Sequence, residues 1–144
     1  QQVGLMPALE ISLSTKDLIL KVPLFAALTA DQAEALAQQV APVVFLPGEM
    51  VCEAGEMGQS MYFIGSGAVE VLLDQGPVLL GTGEFFGELA LITESPRVAN
   101  VHAAGFCELL ALERSEFESF LAAFPEVRSS VMAAARLRTQ GPSE

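Results

Sequence analysis

From Pro42 to about Glu113 the chain is written in short apolar runs, each closed by a turn that usually carries glycine. Val43 to Leu46, Glu49 to Glu53, Ser60 to Ile64, Ala68 to Leu73 and Val78 to Leu80 are such runs, and Val98 to Ala103 and Phe106 to Leu112 resume the pattern around Gly105. Between them stand Pro47-Gly48, the loop from Ala54 to Gly58, Gly65-Ser66-Gly67 and Asp74-Gln75-Gly76-Pro77. About seven short strands at regular spacing are the signature of a sandwich or barrel. Gly48, Gly58, Gly67 and Gly81 fall where corners call for positive φ or close packing.

The flanks have a different period. Residues 1 to 15, with Gly4 and Pro7, read as a lead-in or linker. Ser14 to Val22 sets Leu18, Ile19 and Val22 on one helical face, Pro23 stops that helix, and Leu24 to Leu28 forms an apolar elbow. Thr29-Ala30-Asp31-Gln32 is a capping box, opening a helix that runs to about Val40 and is ended by Pro42. Beyond the strands, Ser115-Glu116-Phe117-Glu118 reads as a second capping box, starting a helix to about Phe124. Pro125 suits the first position of a last helix to about Thr139, with Val127, Val131, Ala134, Ala135 and Leu137 beside Arg128, Arg136 and Arg138. The expected architecture is α+β. A jelly-roll-like antiparallel β-barrel (42–113) lies between helices at 14–41 and 115–140, in one domain over 16–140 with a tail at 141–144.

Composition excludes several roles. Apolar residues make up 51% of the chain, yet no run approaches the ~18 uncharged residues a membrane helix needs. The net charge of −11 repels phosphate backbones and anionic lipid alike, so neither nucleic acid nor direct membrane contact is expected. Cys52 and Cys107 sit in apolar runs and read as core thiols of a reducing compartment. No secretory leader is visible, and without an initiating Met the chain reads as a piece of a longer protein.

One stretch departs from this acidic background. Between Lys21 and Arg114 the single Lys or Arg is Arg97, at the end of Gly83-Glu84-Phe85-Phe86-Gly87-Glu88-Leu89-Ala90-Leu91-Ile92-Thr93-Glu94-Ser95-Pro96-Arg97-Val98-Ala99. Gly87 to Leu91 reads as a one- or two-turn helix bounded by Ser95-Pro96. Its first N–H groups have no partner within the helix and suit a phosphate, with Gly87 leaving room for close approach. Arg97 is expected to project from the edge of the following strand, where a guanidinium holds a phosphate through two parallel hydrogen bonds. At ~4 Å a unit-charge pair gains roughly 4 kcal/mol at an effective dielectric of ~20, against ~1 in water, so a sheltered Arg97 counts for more than an exposed one. Glu88 is placed at the mouth of the same pocket, where a carboxylate accepts from sugar hydroxyls. The plainer readings are that Glu88 is a first-turn acid on the helix dipole and that Arg97 pairs with it or with Glu94.

The pattern Phe86-Gly87-Glu88-Leu89-Ala90-Leu91-Ile92 followed by Pro96-Arg97-Val98-Ala99 resembles the phosphate-binding cassette of cyclic-nucleotide-binding domains. The resemblance covers roughly 16–140: Val22-Pro23-Leu24-Phe25 is similar to the helix elbow, Gly48-Glu49 and Gly55-Glu56-Met57-Gly58 to turns, and Met61-Tyr62-Phe63-Ile64 with Gly67 to the central hairpin. It implies that Arg97 binds the cyclic phosphate, with Val98, Leu89 and Ala90 also at the phosphate. Gly87 and Glu88 would take the ribose. Leu72, Val78, Val98 and Arg138 would contact the base. Val98 stands where some relatives carry a Thr or Ser that binds guanine, so cyclic AMP is the expected ligand and cyclic GMP the weaker one. Within the family the chain is most similar to the cytoplasmic sensor of a bacterial cyclic-nucleotide-regulated potassium channel. The implied partners are then a cyclic nucleotide and an attached channel or other effector. The full-length protein would be a homotetramer in an inner or plasma membrane, with this domain in the cytoplasm. No cofactor and no enzymatic activity are implied. A metalloenzyme of cupin type would need several His, whereas His102 stands alone. A barrel that binds no nucleotide and serves protein contact is the remaining alternative.

Overall fold

The computed structural model describes residues 28 to 140, together with Ile19, Val22 and Phe25. Apart from those three residues and Leu28, the expected helix at Ser14 to Val22 and the elbow after it lie outside the described residues, as do the lead-in and the tail. The described elements are α1 (Ala30–Gln39), β1 (Val40–Phe45), β2 (Met50–Cys52), β3 (Ser60–Ser66), β4 (Ala68–Leu73), β5 (Gly76–Gly81), β6 (Phe85–Phe86), α2 (Glu88–Thr93), β7 (Asn100–Ala103), β8 (Cys107–Glu113), α3 (Arg114–Ala123) and α4 (Pro125–Gln140).

The strands form two four-stranded antiparallel sheets, β1-β8-β3-β6 and β2-β7-β4-β5. This is the expected jelly-roll-like arrangement, laid out as a sandwich whose two sheets are not closed into a barrel. Its first strand begins earlier than the apolar run implied. Pro42 does not end α1, which stops at Gln39; it sits within β1, paired with Leu110. β1 is an edge strand, the place in a sheet that tolerates a residue without an N–H.

The core has two layers, and β3 separates them. Met61 and Phe63 point into a cluster with the helices, where they meet Phe25, Phe117, Phe120 and Val131. Ile64 and the half-buried Tyr62 point the other way, between the sheets, with Val69, Phe86, Val101 and Leu109. A strand covered on both faces carries an unbroken apolar run, as Met61 to Ile64 does. Phe63 anchors the helical layer through ring contacts with Phe25 at 5.0 Å, Phe85 at 5.8 Å and Phe120 at 6.0 Å.

The two expected capping boxes, one before the sandwich and one after it, have different outcomes. The box at Thr29 forms as expected: the Gln32 N–H donates to Thr29 Oγ1 at 3.2 Å, and the Thr29 N–H donates to Gln32 Oε1 at 2.9 Å. The second box does not form. α3 begins at Arg114 with Glu113 as its cap residue and no side-chain capping bond, because β8 runs straight into the helix and leaves no turn for Ser115 to occupy. Pro125 opens α4 as its sequence position implied.

Candidate functional site

The site is built on α2 and the segment that follows it. Gly87 precedes α2 with φ of 93°, a left-handed conformation that a side chain adopts only with strain. Space is equally restrictive: a Cβ at this position would lie 2.8 Å from Arg97 Nη1 and 3.1 Å from Ser60 O. The glycine both turns the chain into the helix and makes room for the arginine.

Arg97 is fixed along its whole length. Its N–H donates to Glu56 O at 2.7 Å, and its carbonyl accepts from the Gly55 N–H at 2.9 Å. Its Nη2 donates to Ser60 O at 2.7 Å and Nη1 to Gly87 O at 3.3 Å. The residue is therefore not on the edge of β7, which begins only at Asn100, but on a stretch held by the Gly55–Glu56 turn. A guanidinium has five N–H donors, so two backbone contacts leave it donors for an anion.

Beside Arg97 lies a cavity of about 430 Å³. The segment Gly87-Glu88-Leu89-Ala90 and Pro96 to Ala99 form one part of its wall. Val71, Leu73, Val78, Leu80 and Val101 form an apolar part, with Gln75 at the β4–β5 turn and Leu137 from α4. Val98 and Leu137 line this cavity while being 74% and 69% exposed, so its rim presents apolar surface to solvent. Glu88 does not stand at the mouth, as its sequence position implied; it is 1% exposed and forms part of the inner wall. The combination is one buried carboxylate, one half-buried guanidinium and a wide apolar face. It suits a small, flat molecule with an anionic group and neighbouring hydroxyls.

Most residues expected at a ligand meet at this cavity: Gly87, Glu88, Leu89, Ala90, Arg97, Val98 and Val78 all line it. Leu72 does not. Successive strand residues face opposite sides, and Val71, paired with Val78 and Val101, is the one on the cavity side, as is Leu73. Leu72 pairs with Pro77 and Asn100 on the other face. Arg138 lies in α4, but its side chain falls outside the described residues; its neighbour Leu137 supplies the contact from that helix. Cys52, expected from sequence as a core thiol, also lines the cavity. Burial pushes the Cys52 thiol above its ordinary value, and the nearby Arg97 guanidinium opposes that rise. Among the described residues no three His, Cys, Asp or Glu side chains are grouped to hold a metal ion. None of the described helices is long and apolar enough to cross a membrane.

Comparison with known proteins agrees with this geometry. The model of the cyclic nucleotide-binding domain matches residues 42–124. A cyclic nucleotide-gated potassium channel of Rhizobium etli is 37% identical over 125 residues, covering 87% of this chain and 35% of the channel. A second such channel, from Mesorhizobium japonicum, is 38% identical over 114 residues, which is 76% of this chain and 31% of that one. The chain thus spans about a third of the length of these relatives. Among solved structures, a second cyclic-nucleotide domain of a protein kinase A regulatory subunit, described as bound to Sp-2Cl-cAMPS, shares the fold at a TM-score of 0.74. It is 22% identical, and the match covers 94% of each chain. The catabolite activator protein of Thermus thermophilus aligns at a TM-score of 0.68 and 30% identity, over 83% of this chain and 60% of that one. With its motif, its jelly-roll sandwich and the family model agreeing over the same residues, this chain belongs to the cyclic nucleotide-binding domain family.

Proposed function

We propose that the chain is a cyclic AMP sensor, with cyclic GMP the weaker ligand, and that it regulates an attached potassium channel rather than catalysing a reaction. The observation that carries this reading is the convergence of Arg97, Glu88 and the Gly87–Ala90 backbone on one side of a cavity whose other walls are apolar apart from Gln75. The cyclic phosphate takes the free donors of Arg97 and the backbone N–H groups of Leu89 and Ala90, where charge-assisted hydrogen bonds are strongest. Glu88 accepts from the ribose 2′-hydroxyl. The purine lies against Val71, Val78 and Val98 and is covered from α4 by Leu137. Val98 offers no hydroxyl to the guanine amino group, which favours adenine.

A ligand shifts an attached effector only if it binds one of two states better. α4 supplies part of the cavity rim, so a ligand that draws Leu137 inward favours one placement of that helix. The channel assignment is supported by the likeness to the two bacterial potassium channels; a tetrameric assembly and a cytoplasmic position beneath an inner or plasma membrane belong to the same proposal. The likeness to the Thermus catabolite activator protein favours a second reading, in which the same sensor is attached to a transcription regulator.

Calorimetric titration with cyclic AMP and cyclic GMP tests the ligand. Saturable binding with cyclic AMP the tighter is the expected result, and a flat titration for both would make the domain a non-binding protein-contact module. For the effector, potassium flux through the reconstituted full-length protein should rise with cyclic AMP and stop responding in Arg97→Ala.

A further inference from the structure

Arg114 is the first residue of α3, but its side chain reaches back across the molecule. Nη2 donates to Gly58 O at 2.7 Å and to Ala90 O at 3.3 Å, and the Arg114 N–H donates to Gln59 O at 2.7 Å. Ala90 is within the last four residues of α2, whose carbonyls have no partner inside the helix. A cation there is favoured by the helix dipole as well as by the hydrogen bond.

The arrangement mirrors that of Arg97. Both arginines grip the backbone between Gly58 and Ser60, and each also takes a carbonyl of the Gly87–Ala90 segment: Arg97 holds Gly87, and Arg114 holds Ala90. Gly58 permits the two grips to close together, since a Cβ there would lie 2.5 Å from Ala90 Cβ and 3.0 Å from Arg97 Cζ. The difference between the arginines is their position. Arg97 lines the cavity and Arg114 does not. A ligand that engages Arg97 draws on a guanidinium already committed to two carbonyls, whereas the hold of Arg114 lies outside the ligand's reach.

We propose that Arg114 is a positioning residue for the nucleotide site, a role that rests on the cyclic-nucleotide reading above. It keeps Gly87 to Ala90 in register with Arg97, and because it heads α3 it ties that register to the C-terminal helices. Lysine carries the charge, but its flexible ammonium lacks the rigid guanidinium plane that sets Nη2 between the two carbonyls.

Cyclic AMP affinity and the release rate of a fluorescent cyclic AMP analogue are measured for the parent protein, Arg114→Gln, Arg114→Lys and Val40→Ala. Val40→Ala serves as a destabilised control, because Val40 is buried in β1 and does not line the cavity. The expected result is about tenfold weaker binding and faster release in Arg114→Gln. Partial recovery is expected in Arg114→Lys, with parent-like affinity in Val40→Ala. Parent-like affinity in Arg114→Gln, or a loss no greater than that of a Val40→Ala protein of equal melting temperature, overturns the proposal. If Arg114→Gln does not fold, Arg114→Lys decides: weaker binding with faster release supports the role, and parent-like values overturn it. A parent protein that binds no cyclic nucleotide overturns the ligand reading and this role with it, whereas a binding parent with unaffected Arg114 variants overturns this role alone.

Discussion

Arg97 and Gly87 form one unit. The guanidinium donates to the Gly87 carbonyl at 3.3 Å, and the space it occupies exists because residue 87 has no Cβ: a methyl there would sit 2.8 Å from Nη1. The ten-residue separation between them thus encodes a contact, and the pair sets where an anion can be held.

Gly87→Ala should therefore damage the site twice. Left-handed φ costs a non-glycine residue roughly 1–2 kcal/mol, and the methyl displaces the arginine besides. The expected outcome is a melting temperature several degrees lower, together with at least about tenfold weaker cyclic AMP binding. Thermal denaturation by circular dichroism and calorimetric titration check the two halves separately.

Arg97→Ala removes the cavity's cation and leaves Gly87 and Ser60 carbonyls without their donor. Hydrogen bonds to charged groups contribute about 1.5–3 kcal/mol each, so the loss of two phosphate contacts weakens cyclic AMP by roughly a hundredfold or more. Arg97→Lys should recover little of this, because a point charge cannot serve both the phosphate and the two carbonyls. Unchanged affinity in Arg97→Ala would remove the phosphate from this part of the cavity.

Val98→Thr tests the base preference. Val98 is exposed at the rim, so the substitution needs no repacking, and the added hydroxyl contributes about 0.5–1.5 kcal/mol if it meets the guanine amino group. Cyclic GMP should bind several-fold tighter while cyclic AMP changes little. Competition of both nucleotides against one fluorescent analogue reads the ratio directly.

Much of this was legible in the sequence, for physical reasons that also mark where legibility stopped. Strand β4 occupies Ala68–Leu73, the span its residues imply, because turn residues bound it on both sides. Its facing was misread because Val71, Leu72 and Leu73 are all apolar and the alternation is lost; Glu70, which shares a face with Leu72, carries the only phase signal in that strand. The two-residue strand β6 was hidden inside the glycine-rich run leading to α2. The burial of Glu88 and the reach of Arg114 have no sequence signal of their own. The partners of Arg114 are backbone carbonyls 56 and 24 residues away, and a carbonyl looks the same at every position.

In sequence Leu137 is one apolar residue of the last helix, and its place on the cavity wall gives it a separable role. It is 69% exposed, so Leu137→Ala should leave the stability of the unliganded protein nearly unchanged. Covering a purine buries that surface, and at ~25 cal/mol per Å² its loss costs about 1–2 kcal/mol of cyclic AMP affinity. Parent-like affinity in this variant would place the base away from α4.

The pH dependence of stability follows from three groups whose folded values are all raised, chiefly by burial: Cys52, Cys107 and Tyr62. The folded protein keeps these protons where the unfolded chain would lose them, so unfolding releases protons at high pH. The stability these groups contribute is fully present below the ordinary thiol value of 9.0 and is lost as pH rises above it, the tyrosine adding to the loss above 10.0. Melting temperature should therefore be flat in this respect at neutral pH and fall steeply in the alkaline range. Replacing Cys52 and Cys107 with Ala should flatten the first part of that fall. Arg97→Ala should steepen it, since the guanidinium holds the Cys52 thiol lower than burial alone would. Thermal melts taken from neutral to strongly alkaline pH on the three proteins check the order, and equal slopes in the parent and the cysteine-free protein would contradict the assignment.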